Sequence, residues 1–131
     1  MSDSCPSGCV TALLHAGLLV SDLARAKSFY ESVLGLAPHP QRPDLPYPGE
    51  WYDLGGGQQL HLMRLANPDA DSIRPEHGGR DRHIALGVSD MTVLKSRLDA
   101  AGVAYTVSKS GRAALFCRDP DMNTLEFVEV G

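Results

Sequence analysis

The sequence predicts an α+β fold built from two similar modules, each made of one strand, one helix and three further strands. The first observation is a repeat: "LHAGLLVSDL", which begins at Leu14, returns as "RHIALGVSDM" from Arg82. The second is that apolar residues at helical spacing follow both copies, and short β-type segments separated by turns come next. A chain of 131 residues suits a single domain composed of two such halves.

The first module begins with a short apolar segment, residues 12–20, which we interpret as a strand. Ser21 is the predicted N-cap of the helix, and Asp22 suits the positive end of the helix dipole. Gly35 ends the helix, as glycine commonly does. The buried helix face is predicted to carry Leu23, Ala26, Tyr30, Val33 and Leu34. A Pro-rich segment, "EWYDL", a "GGG" turn and "QQLHLMRL" then supply the remaining strands.

The second module follows the same plan. Residues 82–88 form its predicted first strand, Ser89 caps its helix and Gly102 ends it. The buried helix face is predicted to carry Met91, Leu94, Leu98 and Ala101. Three strands follow at "VAYTV", "AALFCR" and "TLEFVEV", separated by the turns "SKSGR" and "DPDMN". A polar connector, residues 66–81, joins the modules 12–65 and 82–130.

Composition and charge restrict the classes of function. The formal net charge is −4 without a basic stripe, which argues against nucleic acid as a partner. No apolar run approaches the roughly 20 residues of a membrane span, so no membrane is expected as a partner. The N-terminal "MSDSCPSGC" has no apolar signal region, which favours the cytoplasm. We expect residues 1–11 to be a flexible tail and residues 12–131 to form one domain.

Five residues that can bind metals are set aside. Cys5 and Cys9 have no companion pair with the spacing of a zinc site, so we expect them to be reduced residues of the tail. Cys117 lies in an apolar run and is expected to be a small buried residue. His39 and His77 lie in Pro- and Gly-rich loops without counterparts in the repeat, so we expect them to be structural.

Four other residues occupy corresponding strands of the two modules. His15 and His83 lie on the first strands, and His61 and Glu126 lie on the last. Because side chains alternate along a strand, the apolar neighbours of each histidine face the other way, under the helices. The four polar side chains then face the space that the sheets enclose, where they can converge if the modules pair. Imidazoles and a carboxylate suit a divalent cation such as Zn²⁺, Ni²⁺, Co²⁺, Mn²⁺ or Fe²⁺.

The chain resembles the vicinal oxygen chelate superfamily of glyoxalases, bleomycin-resistance proteins and extradiol dioxygenases. The resemblance covers residues 13–130 and is carried by "HAGLLVSDLARAKSFYESVLGL", "LHLM", "RHIALGVSD" and "RDPDMNTLEFVE" in this order. It implies two βαβββ modules that form an open, cup-like, eight-stranded mixed sheet with the helices outside. It also implies one divalent metal ion, held by the first and last strands of each module. The residues at these places are His15, His61, His83 and Glu126.

The sequence departs from the family pattern at two positions. The lactoylglutathione lyases that it resembles usually carry Glu at the place of His61, so this chain offers one carboxylate in the cup where they offer two. The final turn of the family often reads Asp-Pro-Asp-Gly-Asn, and Met122 replaces its glycine here. A positive φ in this turn is then expected to fall on Asn123 or to be avoided.

The resemblance implies a metal-dependent, glyoxalase-like lyase or isomerase that acts on a small vicinal-oxygen substrate through a metal-bound enolate or alkoxide. Glu126 would be both a ligand and the catalytic base. Trp51 and Arg112 are candidate substrate contacts, the first as an aromatic wall and the second as an anion-binding residue. A homodimer is expected, and the cup would close either within one chain or between two copies.

Other activities stay open on the same fold. An extradiol-type ring-cleavage dioxygenase would bind Fe²⁺ through His15, His83 and Glu126, with His61 as an acid–base residue. A thiol transferase would use a similar ligand set. A metal-free, ligand-sequestering protein of the bleomycin-resistance type would need no such set. Oxygen uptake with a catechol, formation of a thiol adduct and the metal content of the purified protein distinguish these alternatives.

Overall fold

The computed structural model describes residues 8–131. The expectations for Cys5, and for most of the N-terminal tail, lie outside the described residues. Cys9 is exposed and Cys117 is buried, and neither takes part in a disulfide. Burial raises the pKa of the Cys117 thiol to about 12, as expected for an inert residue of the core.

The first module contains three strands and one helical segment. Strand β1 (His15–Leu19) leads into helix α1 (Leu23–Lys27), which continues directly as a π-helical segment (Ser28–Val33). Strands β2 (Gly49–Gly55) and β3 (Gln58–Met63) follow. The sheet order is β1-β3-β2, with β1 parallel and β2 antiparallel to β3.

The second module has the same plan with one more strand. Strand β4 (Ile84–Val88) is followed by helix α2 (Met91–Ala100) and by strands β5 (Tyr105–Val107), β6 (Ala114–Arg118) and β7 (Thr124–Glu129). The sheet order is β4-β7-β6-β5, with β4 parallel to β7 and the other pairs antiparallel. The predicted α+β class is therefore confirmed, and the structure divides the strands between two mixed sheets. Among residues 8–131, no helix is long and apolar enough to cross a membrane.

The described residues form seven strands, and the place of the eighth is taken by a single bridge. Pro38 pairs with Tyr52 as an isolated antiparallel bridge beside β2, and the His39 amide donates to the Trp51 carbonyl at 2.7 Å. Because the His39 amide faces β2, the nitrogens of Pro38 and Pro40 face away from it, as is usual for proline at the edge of a sheet. The two rings hold φ at about −65°, which departs from regular strand geometry and disfavours a longer strand.

One apolar cluster joins the two modules. Strand residues on the face away from the histidines pack beneath the helices, as the alternation predicts. Leu60 and Leu62 of β3 are fully buried, as is Leu125 of β7. The helices contribute the fully buried Tyr30 and Leu98.

The helices begin one residue later than predicted, with aspartate at both N-caps. Asp22 accepts a hydrogen bond from the Arg25 amide at 3.1 Å, and Asp90 accepts from the amides of Thr92 and Val93. The prediction of serine caps was therefore wrong, because a carboxylate both accepts these amides and carries the negative charge that the dipole favours. The ends of the helices agree with the prediction, since the glycines that follow have positive φ.

Met122 carries the positive φ of the turn between β6 and β7, with a value of 67°. The expectation that a positive φ would fall on Asn123 or be avoided was wrong. Asp119 accepts hydrogen bonds from the amides of Asp121 and Asn123, both at 2.9 Å. These bonds fix the backbone on either side of Met122, which is left in the left-handed region that favours glycine.

The same turn fastens the second module to the first. The buried hydroxyl of Tyr30 donates to Oδ2 of Asp119 at 2.7 Å. The Asn123 amide group donates to the Leu19 carbonyl at 3.0 Å. Burial raises the pKa of Asp119 above its ordinary value, although hydrogen bonds from Tyr30 and Asn123 oppose the shift.

The connector is held to the second sheet by Asp81. Its carboxylate accepts hydrogen bonds from Nη1 of Arg118 at 2.8 Å and from Nε of Arg74 at 3.0 Å. These contacts, with a further bond from Thr124, outweigh burial and lower the pKa of Asp81 to about 2. The connector therefore reaches β4 in a fixed position, and His83 follows it directly.

Candidate functional site

His15 and His61, which we call the N-terminal pair, lie side by side on the first sheet. The parallel register of β1 and β3 places His15 opposite Gln59 and Gly17 opposite His61. The pair is therefore diagonal across the two strands, and a side chain at Gly17 would meet Met63. The two rings stack with centroids 4.1 Å apart and an angle of 16° between planes.

Trp51 stacks on the other face of the His61 ring. It pairs with His61 in the register of β2 and β3, and the two rings stack at 4.0 Å with an angle of 2°. His61 thus lies between two aromatic rings and is only 8% exposed. Burial, together with the nearby His15 and Arg42, lowers the pKa of His61 and so favours its neutral imidazole.

His83 and Glu126, which we call the C-terminal pair, are in direct contact. Glu126 lies on β7 opposite Ala85 of β4, with its side chain on the face away from the core, and is 5% exposed. Nε2 of His83 lies 3.2 Å from Oε1 of Glu126. Nδ1 of His83 donates to the Asp81 carbonyl at 2.8 Å, which fixes the orientation of the ring.

Arg112 binds the second oxygen of Glu126. It lies on the turn between β5 and β6, and its Nη2 donates to Oε2 of Glu126 at 2.7 Å. Its Nε donates to Oγ of Ser110 at 3.1 Å, within the same turn. The guanidinium thus neutralises the buried carboxylate, while the Arg112 side chain as a whole is 57% exposed.

The four predicted residues are brought together two by two. Among residues 8–131, no three His, Cys, Asp or Glu side chains form a group that could hold a metal ion. One histidine of each pair, His15 and His83, lines a cleft of about 340 Å³ beside the edge strands β1 and β4. Each pair supplies donor atoms that suit a divalent ion, but one pair alone supplies only two.

Two polar residues of this face were not identified from the sequence. Oε1 of Gln59 accepts from Nε2 of His61 at 2.9 Å, and Nε2 of Gln59 donates to Asp53 at 2.9 Å. Nδ1 of His39 donates to the other oxygen of Asp53 at 2.7 Å. The alternation of side chains along a strand could have identified both residues, since Gln59 is two residues from His61 and Asp53 is two residues from Trp51.

His77, which was expected to be structural, forms a hydrogen bond with Thr106 at 2.8 Å.

Two modules of this plan, with paired donors on the faces opposite the core, define a glyoxalase-type fold, and the family comparison agrees. Residues 12–127 match the model of the Glyoxalase/Bleomycin resistance protein/Dioxygenase superfamily. The chain belongs to this superfamily, which confirms the resemblance seen in the sequence.

Individual proteins of known sequence or structure are similar to this chain over most of its length. A lactoylglutathione lyase of Haemophilus influenzae is 31% identical over 125 residues, which cover 89% of this chain and 91% of that protein. The structure of a trypanothione-dependent glyoxalase I from Leishmania major is 25% identical with a TM-score of 0.68, covering 92% of this chain and 87% of that one. TnmS3, an antibiotic-binding protein from Streptomyces sp. CB03234, is similar in fold alone, with 20% identity, a TM-score of 0.69 and coverage of 95% and 99%.

Proposed function

We propose that this protein is a metal-dependent lyase or isomerase of the glyoxalase type, acting on a small substrate with two adjacent oxygen atoms. The observation that carries the proposal is the presence of a donor pair at corresponding positions of each module: His15 with His61, and His83 with Glu126. The names of two relatives, a lactoylglutathione lyase and a glyoxalase I, support the same class of reaction.

The chemistry of the C-terminal pair supports a divalent ion as the cofactor. A carbonyl oxygen only accepts, so the bond to Asp81 requires a hydrogen on Nδ1 of His83. A neutral His83 would therefore turn the lone pair of Nε2 towards Glu126. Two lone pairs would then face each other across 3.2 Å, and a metal ion or a proton between these atoms would remove this repulsion. His15, His61, His83 and Glu126 would hold the metal ion.

We propose that the site is completed between two copies of the chain. The donor pairs do not meet within residues 8–131 of one chain, and a catalytic metal usually has at least three protein ligands. His15 is exposed and follows two exposed leucines, Leu13 and Leu14, which a second copy would cover. The N-terminal pair of one copy would then face the C-terminal pair of the other.

The four ligands differ in the roles that they would play. A bound ion would stabilise the negative charge that develops on a substrate oxygen. Glu126 is the carboxylate of the set and would accept and return the substrate proton. Its Oε2 atom is held by Arg112, so this oxygen becomes available when Arg112 moves away. The mostly exposed Arg112 would then be free to hold an anionic group of the substrate.

Metal analysis and an isomerase assay test the proposal together. The purified protein should contain about one divalent ion per chain, and His15→Ala or His83→Ala should weaken binding by more than about tenfold, because a ligand is lost. His77→Ala removes a histidine from outside the pairs and should leave binding unchanged. The assay substrate is the thiol adduct of a small 2-oxoaldehyde. Full metal content in both pair variants would overturn the proposal.

A metal-free binding protein is the second candidate. The observation that favours it is the Arg112–Glu126 ion pair, which already compensates the buried carboxylate without a metal. The stacked rings of Trp51 and His61 would then contribute to a surface for a planar ligand. A purified protein that takes up no divalent ion, yet binds a planar ligand with quenching of Trp51 fluorescence, would favour this function over the first.

A further inference from the structure

A continuous chain of hydrogen bonds runs from His39 in the Pro-rich segment to His61 on β3. Nδ1 of His39 lies 2.7 Å from Oδ2 of Asp53, and Nε2 of Gln59 lies 2.9 Å from Oδ1 of the same carboxylate. Oε1 of Gln59 lies 2.9 Å from Nε2 of His61. Each link thus joins two side chains of the first module, and the chain ends at a candidate ligand.

The direction of every bond in this chain follows from the carboxylate of Asp53. An ionised carboxylate only accepts, so Gln59 must turn its NH₂ group towards Asp53. The Gln59 carbonyl oxygen therefore faces His61, and it too only accepts. Nε2 of His61 must then carry the hydrogen. Hydrogen bonds from Gln59 and His39 lower the pKa of Asp53, so the carboxylate stays ionised at neutral pH.

The other nitrogen of the His61 ring is left with its lone pair. Among the described residues none bonds to Nδ1 of His61, whereas Nε2 is held by Gln59. The stacked rings of His15 and Trp51 on either side of His61 oppose a flip of the ring that would exchange the two nitrogens.

We propose that His39, Asp53 and Gln59 are positioning residues that hold His61 as the Nε2–H tautomer and present Nδ1 as its electron-pair donor. His61 would then bind a metal ion, or accept a proton, through Nδ1. The consequence for metal binding rests on the proposed function, but the tautomer is a property of the metal-free chain. Asp53 sets the polarity of the chain, and Gln59 transmits it to His61.

Nuclear magnetic resonance of the ¹⁵N-labelled, metal-free protein tests the proposal. Protonated and unprotonated imidazole nitrogens resonate far apart, so long-range ¹H–¹⁵N spectra above pH 8 report the tautomer of a neutral ring. We expect His61 to be almost wholly in the Nε2–H form. Gln59→Leu should reduce the ratio of the two tautomers several-fold, and Gln59→Glu should restore it because a carboxyl group also accepts. Gln58→Leu, which removes the neighbouring glutamine of the same strand, is the matched control and should change nothing.

Asp53→Leu is a second, independent variant, because it leaves Gln59 in place and removes only the group that orients its amide. It should also give a mixture of tautomers at His61, and because the Asp53 side chain is exposed, the substitution should leave the fold intact. A predominantly Nδ1–H ring in the wild type would overturn the proposal, as would an unchanged ratio in both Leu variants. Zn²⁺ titration of the same samples distinguishes the positioning role from the proposed ligand role of His61. If the tautomer ratio changes but the Zn²⁺ affinity does not, the positioning role holds and His61 is not a metal ligand.

Discussion

The hydrogen bond between Tyr30 and Asp119 is predicted to be the strongest single polar contact between the modules. Tyr30→Phe removes a donor from a carboxylate that is 3% exposed, so water cannot replace it. Hydrogen bonds to charged groups contribute about 2 kcal/mol each. With an unfolding entropy of about 2.1 cal/mol/K per residue, the 131-residue chain should lose about 7 °C in Tm.

Tyr52→Phe is the matched control, because Tyr52 is equally buried and also donates to a carboxylate. Its acceptor, Glu31, has a side chain that is 28% exposed, so water can replace the lost hydroxyl. We expect a loss of about 0.5 kcal/mol, or about 2 °C, by differential scanning calorimetry. Equal losses of Tm in the two variants would refute the reasoning, since they would show that burial of the acceptor does not set the cost.

The dependence on pH gives the same prediction a second test. The Tyr30 bond favours the charged form of Asp119, so its loss should raise the pKa of Asp119 further. The folded Tyr30→Phe protein then binds a proton more tightly than its unfolded chain does. Its deficit in stability should be largest at neutral pH and should shrink as pH falls towards the pKa of Asp119. A deficit that grows on acidification would contradict this account.

Three further predictions concern single residues. Met122→Gly should stabilise the fold by about 1 kcal/mol in chemical denaturation, because glycine relieves a positive φ at some entropic cost. The folded pKa of Asp81 is lowered to about 2, so the ionised carboxylate should stabilise the fold above pH 4, and this stabilisation should be lost as pH falls towards 2. In Asp81→Asn, the free energy of unfolding should no longer show this loss between pH 4 and pH 2. Arg112→Ala should strengthen Zn²⁺ binding several-fold by calorimetry, because the guanidinium no longer competes for Glu126.

The repeat and the alternation of side chains were sufficient to predict much of the fold. His15 and His83 mark equivalent strands, and their apolar neighbours determine which face lies under the helices. Among residues 8–131 the eighth predicted strand is reduced to the Pro38–Tyr52 bridge, because the prediction followed the pattern of the second module and the prolines disfavour regular strand geometry. The N-caps were predicted one residue too early because a Ser and an Asp are adjacent at each helix start, and both residue types favour the N-cap position.

The sequence predicted that the four candidate residues share the face opposite the core, but it did not predict their arrangement in two pairs. Strand periodicity identifies His61 and Glu126 as side chains of the inner face, and the structure brings each next to the histidine of its own module. Whether the two pairs meet depends on the packing of whole sheets, which no local pattern encodes. The contact between His39 and Asp53 was missed because Asp53 lies on β2, apart from His39 in the chain, and has no counterpart in the second module.

Complementation between two inactive variants tests the central claim most directly. His15→Ala damages the N-terminal pair, and Glu126→Ala damages the C-terminal pair. If each site combines pairs from two copies, a hybrid of these variants contains one site with both pairs intact and one with both damaged. Co-expressed hybrids, isolated with two affinity tags, should therefore recover about half of the metal content of the wild type, whereas each variant alone should hold almost none. Hybrids that bind no metal, beside a wild type that does, would contradict a site built between two copies.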